Sequence, residues 1–123
     1  MKFAENCPKS CPPDDVEEVT GEVFRFVRND PPTSEDMKTY ADEGKPGSDA
    51  CGACALSVLR SLEDVELARK AMPWFKRRLV ARALLLGAHG VIKQTGPHKH
   101  HYSYWVEATY AASIHEQFTV IRP

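Results

Sequence analysis

The chain has 123 residues, of which 42% are hydrophobic and 27% charged, with four cysteines. That length suits one domain able to bury roughly two-thirds of its unfolded surface, and the composition excludes wholesale disorder and collagen-like or coiled-coil classes. The net charge of −1 conceals a split: residues 1–50 hold 12 acidic and 6 basic side chains, and residues 51–123 hold 5 and 10.

Residues 1–20 carry Cys7-Pro8, Cys11-Pro12-Pro13 and the acidic run Asp14 to Glu18. Proline fixes φ and removes backbone donors, so this stretch reads as an extended arm ahead of a domain over 21–123. The β-branched and aromatic run Val23-Phe24-Arg25-Phe26-Val27 reads as a strand ended by Asn29-Asp30-Pro31-Pro32. Thr33 or Ser34 caps a short helix through Asp42, and 43–49 is a loop by composition. An apolar strand over 54–59 follows. Ser61 then caps a helix from Leu62 to Met72, with acids in its first turn, bases in its last, and Pro73 as its stop. A strand over 79–85 pairs with one over 91–95 in this reading, and strands over 102–107 and 118–121 complete the chain. The fold class expected is α+β: a single small domain with a mixed or antiparallel sheet, two or three helices and the N-terminal arm.

The longest apolar run, Ala83 to Ala88, falls far short of the ~20 residues a membrane span needs. Met1 to Cys7 lacks the apolar segment of a secretory signal, so reduced thiols in a cytoplasm are the expectation. The thiols can nonetheless serve a metal. Cys7-x3-Cys11 and Cys51-x2-Cys54 can supply four thiolates to a tetrahedral zinc, which would hold the arm to the body. Free thiols with Cys54 buried are the plainer alternative.

No Asp or Glu occurs between Leu67 and Val106, an interval holding Arg69, Lys70, Lys76, Arg77, Arg78, Arg82, Lys93 and Lys99 with four histidines. Such asymmetry points to an anionic partner, whether nucleotide, RNA or an acidic protein, unless the acidic half simply folds back to neutralise it. His100 and His101 suit phosphate binding or general acid–base work better than metal ligation, because Lys99 would repel a cation. Glu107, the only acid between Glu66 and Glu116, stands among these bases as a salt-bridge partner or a catalytic carboxylate. Tyr104 and Trp105 beside it offer stacking surfaces for a base or nicotinamide ring, or simply core.

Cys11-Pro12-Pro13, the strand Val23 to Val27, Asn29 to Asp36, Leu56-Ser57-Val58 followed by Glu63-Asp64, Gly90 to Thr95, and His100-His101 running into Trp105 and Glu107 together resemble a family of small, uncharacterised bacterial proteins. More distantly, the order Arg25, Ser57, Glu107 resembles the ADP-ribosyltransferase-like fold. There an Arg or His on an early strand, a Ser/Thr on a strand leading into a helix, and a late Glu act together. The resemblance implies NAD as substrate, with Arg25 on the phosphates, Ser57 on the ribose and Glu107 catalytic. His100 or His101 and Trp105 would line the pocket. An RNA-binding or metal-independent ribonuclease-type module using His100, His101, Glu107 and Arg78 or Arg82 is the second expectation. A non-catalytic, zinc-stapled interaction protein is the third.

Overall fold

Strand alternation decides the architecture. The computed structural model describes residues 1–47 and 49–122; position 48, within the loop expected over 43–49, and position 123, the last of the expected domain, lie outside them. In β2 (Gly21–Val27), Val23 and Val27 bury on one face while Phe24 buries on the other. A strand with apolar groups on both faces needs cover on both, and it finds it. β2 pairs with β4 (Leu79–Leu85), which pairs with β7 (Phe118–Ile121), all antiparallel. A second antiparallel sheet has the order β1 (Glu17–Glu18), β5 (Gly90–Gln94), β6 (Tyr102–Val106), β3 (Leu56–Val58). The backbones of Phe24 and Leu59 exchange hydrogen bonds of 2.8 and 2.9 Å, joining the sheets at one corner.

The main apolar cluster draws Val23, Val27, Ala83, Leu85 and Phe118 from one sheet and Leu56, Val58, Ile92 and Tyr104 from the other. It therefore fills the space between them. On the far side of the β2 sheet, helix α2 (Leu62–Ala71) lays Val65 and Ala68 against Phe24 and Val80. Full burial of Val65 alone contributes roughly 1.5–2 kcal/mol. The Ser61 side chain accepts from Asp64 N, so α2 begins where the sequence places it and ends one residue short of Met72. The fold is α+β, with two α-helices and seven strands among the described residues.

Four expectations need correction: one strand pairing, one helix, one strand start and the state of the cysteines. The strand over 79–85 forms, yet it does not pair with residues 91–95: β4 belongs to one sheet and β5 to the other. The helix expected through Asp42 is a single 3-10 turn, Ser34–Met37, and the strand expected from Cys54 begins only at Leu56, behind the short helix α1 (Ala50–Ala53). The expected arm packs onto the body, where β1 extends a sheet and Val19 is fully buried. The cysteines are paired as disulfides, Cys7–Cys54 and Cys11–Cys51, where free thiols were expected. The arm folds back across the outer face of the β5–β6 sheet, and pairing over 40 and 47 positions is a tertiary fact with no local signal.

The charge split is partly settled internally. Asp15 of the arm pairs with Lys93 at 2.6 Å, Glu22 with Arg82, and Asp30 with Arg122 at 2.6 Å. No helix among the described residues is long and apolar enough to cross a membrane.

Candidate functional site

The outer face of the β5–β6–β3 sheet carries a row of polar side chains. Residues opposite one another on antiparallel strands share a face. The register sets Ser57 of β3 against Ser103 of β6, and Ser103 against Lys93 of β5. The intervening residues Leu56, Val58, Tyr104 and Ile92 point the other way, into the core. A cleft of about 740 Å³ lies over this row.

His101 precedes β6 and closes one end of the row. Its Nε2 lies 3.0 Å from Ser57 Oγ, and its Nδ1 lies 3.2 Å from the Thr95 carbonyl and 3.1 Å from Thr95 Oγ1. A carbonyl only accepts, so the Thr95 oxygen favours a proton on Nδ1 and leaves the Nε2 lone pair facing the Ser57 hydroxyl. Thr95 Oγ1 in turn meets Ser103 Oγ at 2.7 Å. Burial pushes the His101 pKa below its ordinary 6.5, and nearby His100 and His98 push the same way, against the Thr95 hydrogen bond. The imidazole is thus neutral at physiological pH, the form in which it accepts a proton.

Arg25 reaches this cleft from the other sheet. Its Nε donates to the Asp36 carbonyl at 2.9 Å and its Nη1 to the Ser57 carbonyl at 2.8 Å, which fixes the guanidinium beside the Ser57 backbone. Desolvation lowers its pKa to about 10, against the attraction of Asp36, Glu43 and Tyr40, and it stays charged at neutral pH. Five N–H donors belong to a guanidinium, and these two bonds leave three for a ligand. Arg28, Lys38 and Lys93 also line the cleft, Lys38 paired with Glu35 at 3.2 Å and Lys93 with Asp15 at 2.6 Å, and the carboxylates of Glu43 and Asp49 share the lining. Asp49 is already engaged as the cap of α1, accepting from Gly52 N at 2.6 Å, and Glu43 pairs with Lys45 at 3.6 Å. Tyr40, Phe26 and Phe75 give the lining aromatic surface, the last two rings stacked 4.3 Å apart.

Arg25, Ser57 and His101 therefore meet, although the first two come from different sheets. Trp105 also borders the cleft but is 2% exposed, packs on Cys54 and Ala55, and donates Nε1–H to the Cys51 carbonyl at 3.0 Å. It forms the floor, and no open ring face is left for stacking.

The other candidates lie elsewhere. Glu107, one residue past the end of β6, accepts from Thr109 N at 2.9 Å and caps a 3-10 turn; it does not line the cleft. Tyr104 points into the inter-sheet core, donates to the His89 carbonyl at 2.7 Å, and has its pKa raised by burial. His100 is buried and stacked on His98, outside the cleft lining. Arg82 is held by Glu22, and Arg78 ends the 3-10 turn Pro73–Arg77 that follows α2; neither borders the cleft. Comparison with known proteins finds no matching family model, no similar curated protein and no similar solved structure.

Sequence reasoning missed Thr95 as the group that orients the histidine, and no local pattern announces it. Ser103 was findable: it alternates with Trp105 on one strand face.

Proposed function

We propose that this chain is a nucleotide-directed enzyme whose reactive centre is the Arg25–Ser57–His101 cleft, with NAD as the substrate to test first. The support is the convergence of those three side chains, 32 and 44 positions apart in sequence, on one aromatic-lined cleft. A fixed guanidinium with free donors answers a pyrophosphate, and Arg28 stands on the same lining. Aromatic walls suit the bases at the ends of a dinucleotide.

In this reading Arg25 keeps the phosphate role and Ser57 the ribose role that the resemblance implies. The proton-accepting role passes from Glu107, which caps its own turn, to His101. The bond broken is the glycosidic bond from the ribose C1′ to nicotinamide, which leaves neutral. An acceptor hydroxyl bonds to C1′ and its proton passes to His101 Nε2. The carbonyl of Thr95 then holds the imidazolium that forms, much as a buried acceptor does in other serine–histidine pairs.

The test is nicotinamide release from NAD, followed by chromatography, with binding of ADP-ribose measured by calorimetry. Ser57→Ala and His101→Gln should each lower turnover by about 100-fold or more, the scale of a lost acid–base group. Neither binding nor turnover at millimolar NAD would overturn the reading.

A further inference from the structure

The four cysteines are the remaining cluster of reactive side chains, and the cleft chemistry does not use their sulfurs. Two turns of the arm, closed by Cys7 N to Ala4 O and Cys11 N to Pro8 O at 3.0 Å each, present Cys7 and Cys11. Helix α1 presents Cys51, and its C-cap is Cys54. The result is a compact set of sulfurs. Cys11 Sγ lies 3.8 Å from Cys54 Sγ, across from its own disulfide partner Cys51. The sulfurs of Cys7, Cys11 and Cys54 all fall within 4.8 Å of one another.

A tetrahedral zinc with sulfur at ~2.3 Å has sulfur–sulfur edges of about 3.8 Å. The Cys11–Cys54 separation already equals such an edge. Two pairs spaced x3 and x2, carried on tight turns, are also the form in which structural zinc sites take their thiolates. The pairing of Cys7 with Cys54 and of Cys11 with Cys51 crosses between the two motifs, so disulfides and metal would join the same arm to the same helix.

We propose that the reduced chain binds one zinc ion through Cys7, Cys11, Cys51 and Cys54, and that the clamp has two chemical forms. Two equivalents of a phosphine reduce the two S–S bonds, each giving up two electrons and leaving as its oxide with the oxygen of one water, whose two protons complete a pair of thiols. The thiols release those protons as four thiolates bind Zn²⁺. The clamp abuts the cleft directly. Cys51 and Gly52 lie on its wall, and the Cys51 carbonyl holds the Trp105 indole of its floor. The two forms therefore keep the floor in place in reducing and oxidising surroundings alike. This inference does not depend on what the cleft binds.

The test uses the full chain, reduced with a phosphine under argon and titrated with Co²⁺ alone. One equivalent should give the strong visible bands of a tetrahedral four-thiolate cobalt site, bleached by one equivalent of Zn²⁺. The Trp105 near-ultraviolet dichroism should be retained or restored on metal addition. Cys51→Ser should lose the four-sulfur spectrum. Absent bands, the pale spectrum of octahedral cobalt, or a four-sulfur spectrum that survives Cys51→Ser would each overturn the proposal and leave the cysteines as structural disulfides only.

Discussion

Ser57 Oγ and His101 Nε2 lie 3.0 Å apart across 44 positions of sequence, with the other imidazole nitrogen turned to the Thr95 carbonyl. The arrangement holds the base neutral and aimed before any ligand arrives. If the proposed reaction runs through this imidazole, its burial-lowered pKa predicts turnover that rises as pH climbs through the lowered value and levels off well above it. Steady-state rates from pH 5 to 8 check this, and a bell centred above 7 would exclude His101 as the base.

The same group makes a separate statement about stability. A histidine whose folded pKa lies below 6.5 binds fewer protons folded than unfolded in the intervening range. Its contribution is complete above pH 6.5 and is lost as pH falls through the folded value. Chemical denaturation midpoints should decline over that window, and His101→Gln should flatten this part of the profile.

What could be read ahead of the structure followed how locally each feature is determined. Helix α2 was legible because its cap, its charge gradient and its apolar stripe all lie within Ser61 to Met72. β4 and β7 were legible as strands for the same reason, while their partners were not. The segment from Gly87, which the expected pairing of 79–85 with 91–95 would make a turn, is instead a crossing from one sheet to the other. Arg25, Ser57 and His101 were all among the candidates, since each is a chemistry-bearing residue on or beside a strand. Glu107 was an equally good candidate on sequence, and one step past the end of β6 was enough to take it out of the cleft.

Asp36 tests how Arg25 is held. Its buried carboxylate accepts from Arg28 N at 2.7 Å, Thr33 N at 2.9 Å and Asn29 Nδ2 at 3.0 Å, while its own carbonyl receives Arg25 Nε. Burial alone would raise its pKa, but these donors outweigh it and hold the value below 3.8. The stabilisation is present above pH 3.8 and is lost as pH falls through the lowered folded value. Asp36→Asn should cost about 2–3 kcal/mol at pH 7, the loss of charge-assisted bonds to backbone donors, and weaken ligand binding through Arg25. A variant of unchanged urea midpoint would mean the carboxylate is not what fixes this loop.

Gly90 opens β5 at φ +141°, a conformation that side-chain-bearing residues rarely adopt. A Cβ there would also collide with the Trp105 carbonyl and press on the Tyr104 ring. Both obstacles are rigid parts of β6, so relaxation would have to move the strand that carries the cleft floor. Gly90→Ala should therefore destabilise by about 2–3 kcal/mol, combining backbone strain with overpacking. Thermal unfolding of the variant gives the comparison, and a near-neutral result would require the β5–β6 register to be softer than this packing implies.

The two disulfides close loops whose ends are 47 and 40 positions apart, each with a Cα separation of 5.4 Å. By loop-closure entropy, each bond should contribute about 4 kcal/mol by restricting the unfolded chain. Their contributions should not add. Once Cys7–Cys54 ties the arm down, Cys11–Cys51 closes only a small ring beside it, because the two bridges join neighbouring points of the same segments. Under oxidising conditions, the Cys7→Ser/Cys54→Ser pair and the Cys11→Ser/Cys51→Ser pair should thus each lose much less than the variant lacking all four thiols. Urea unfolding of the three proteins measures the difference. Equal and additive losses would show that each bridge braces a different part of the native fold, with Cys51 beneath the cleft the first place to look.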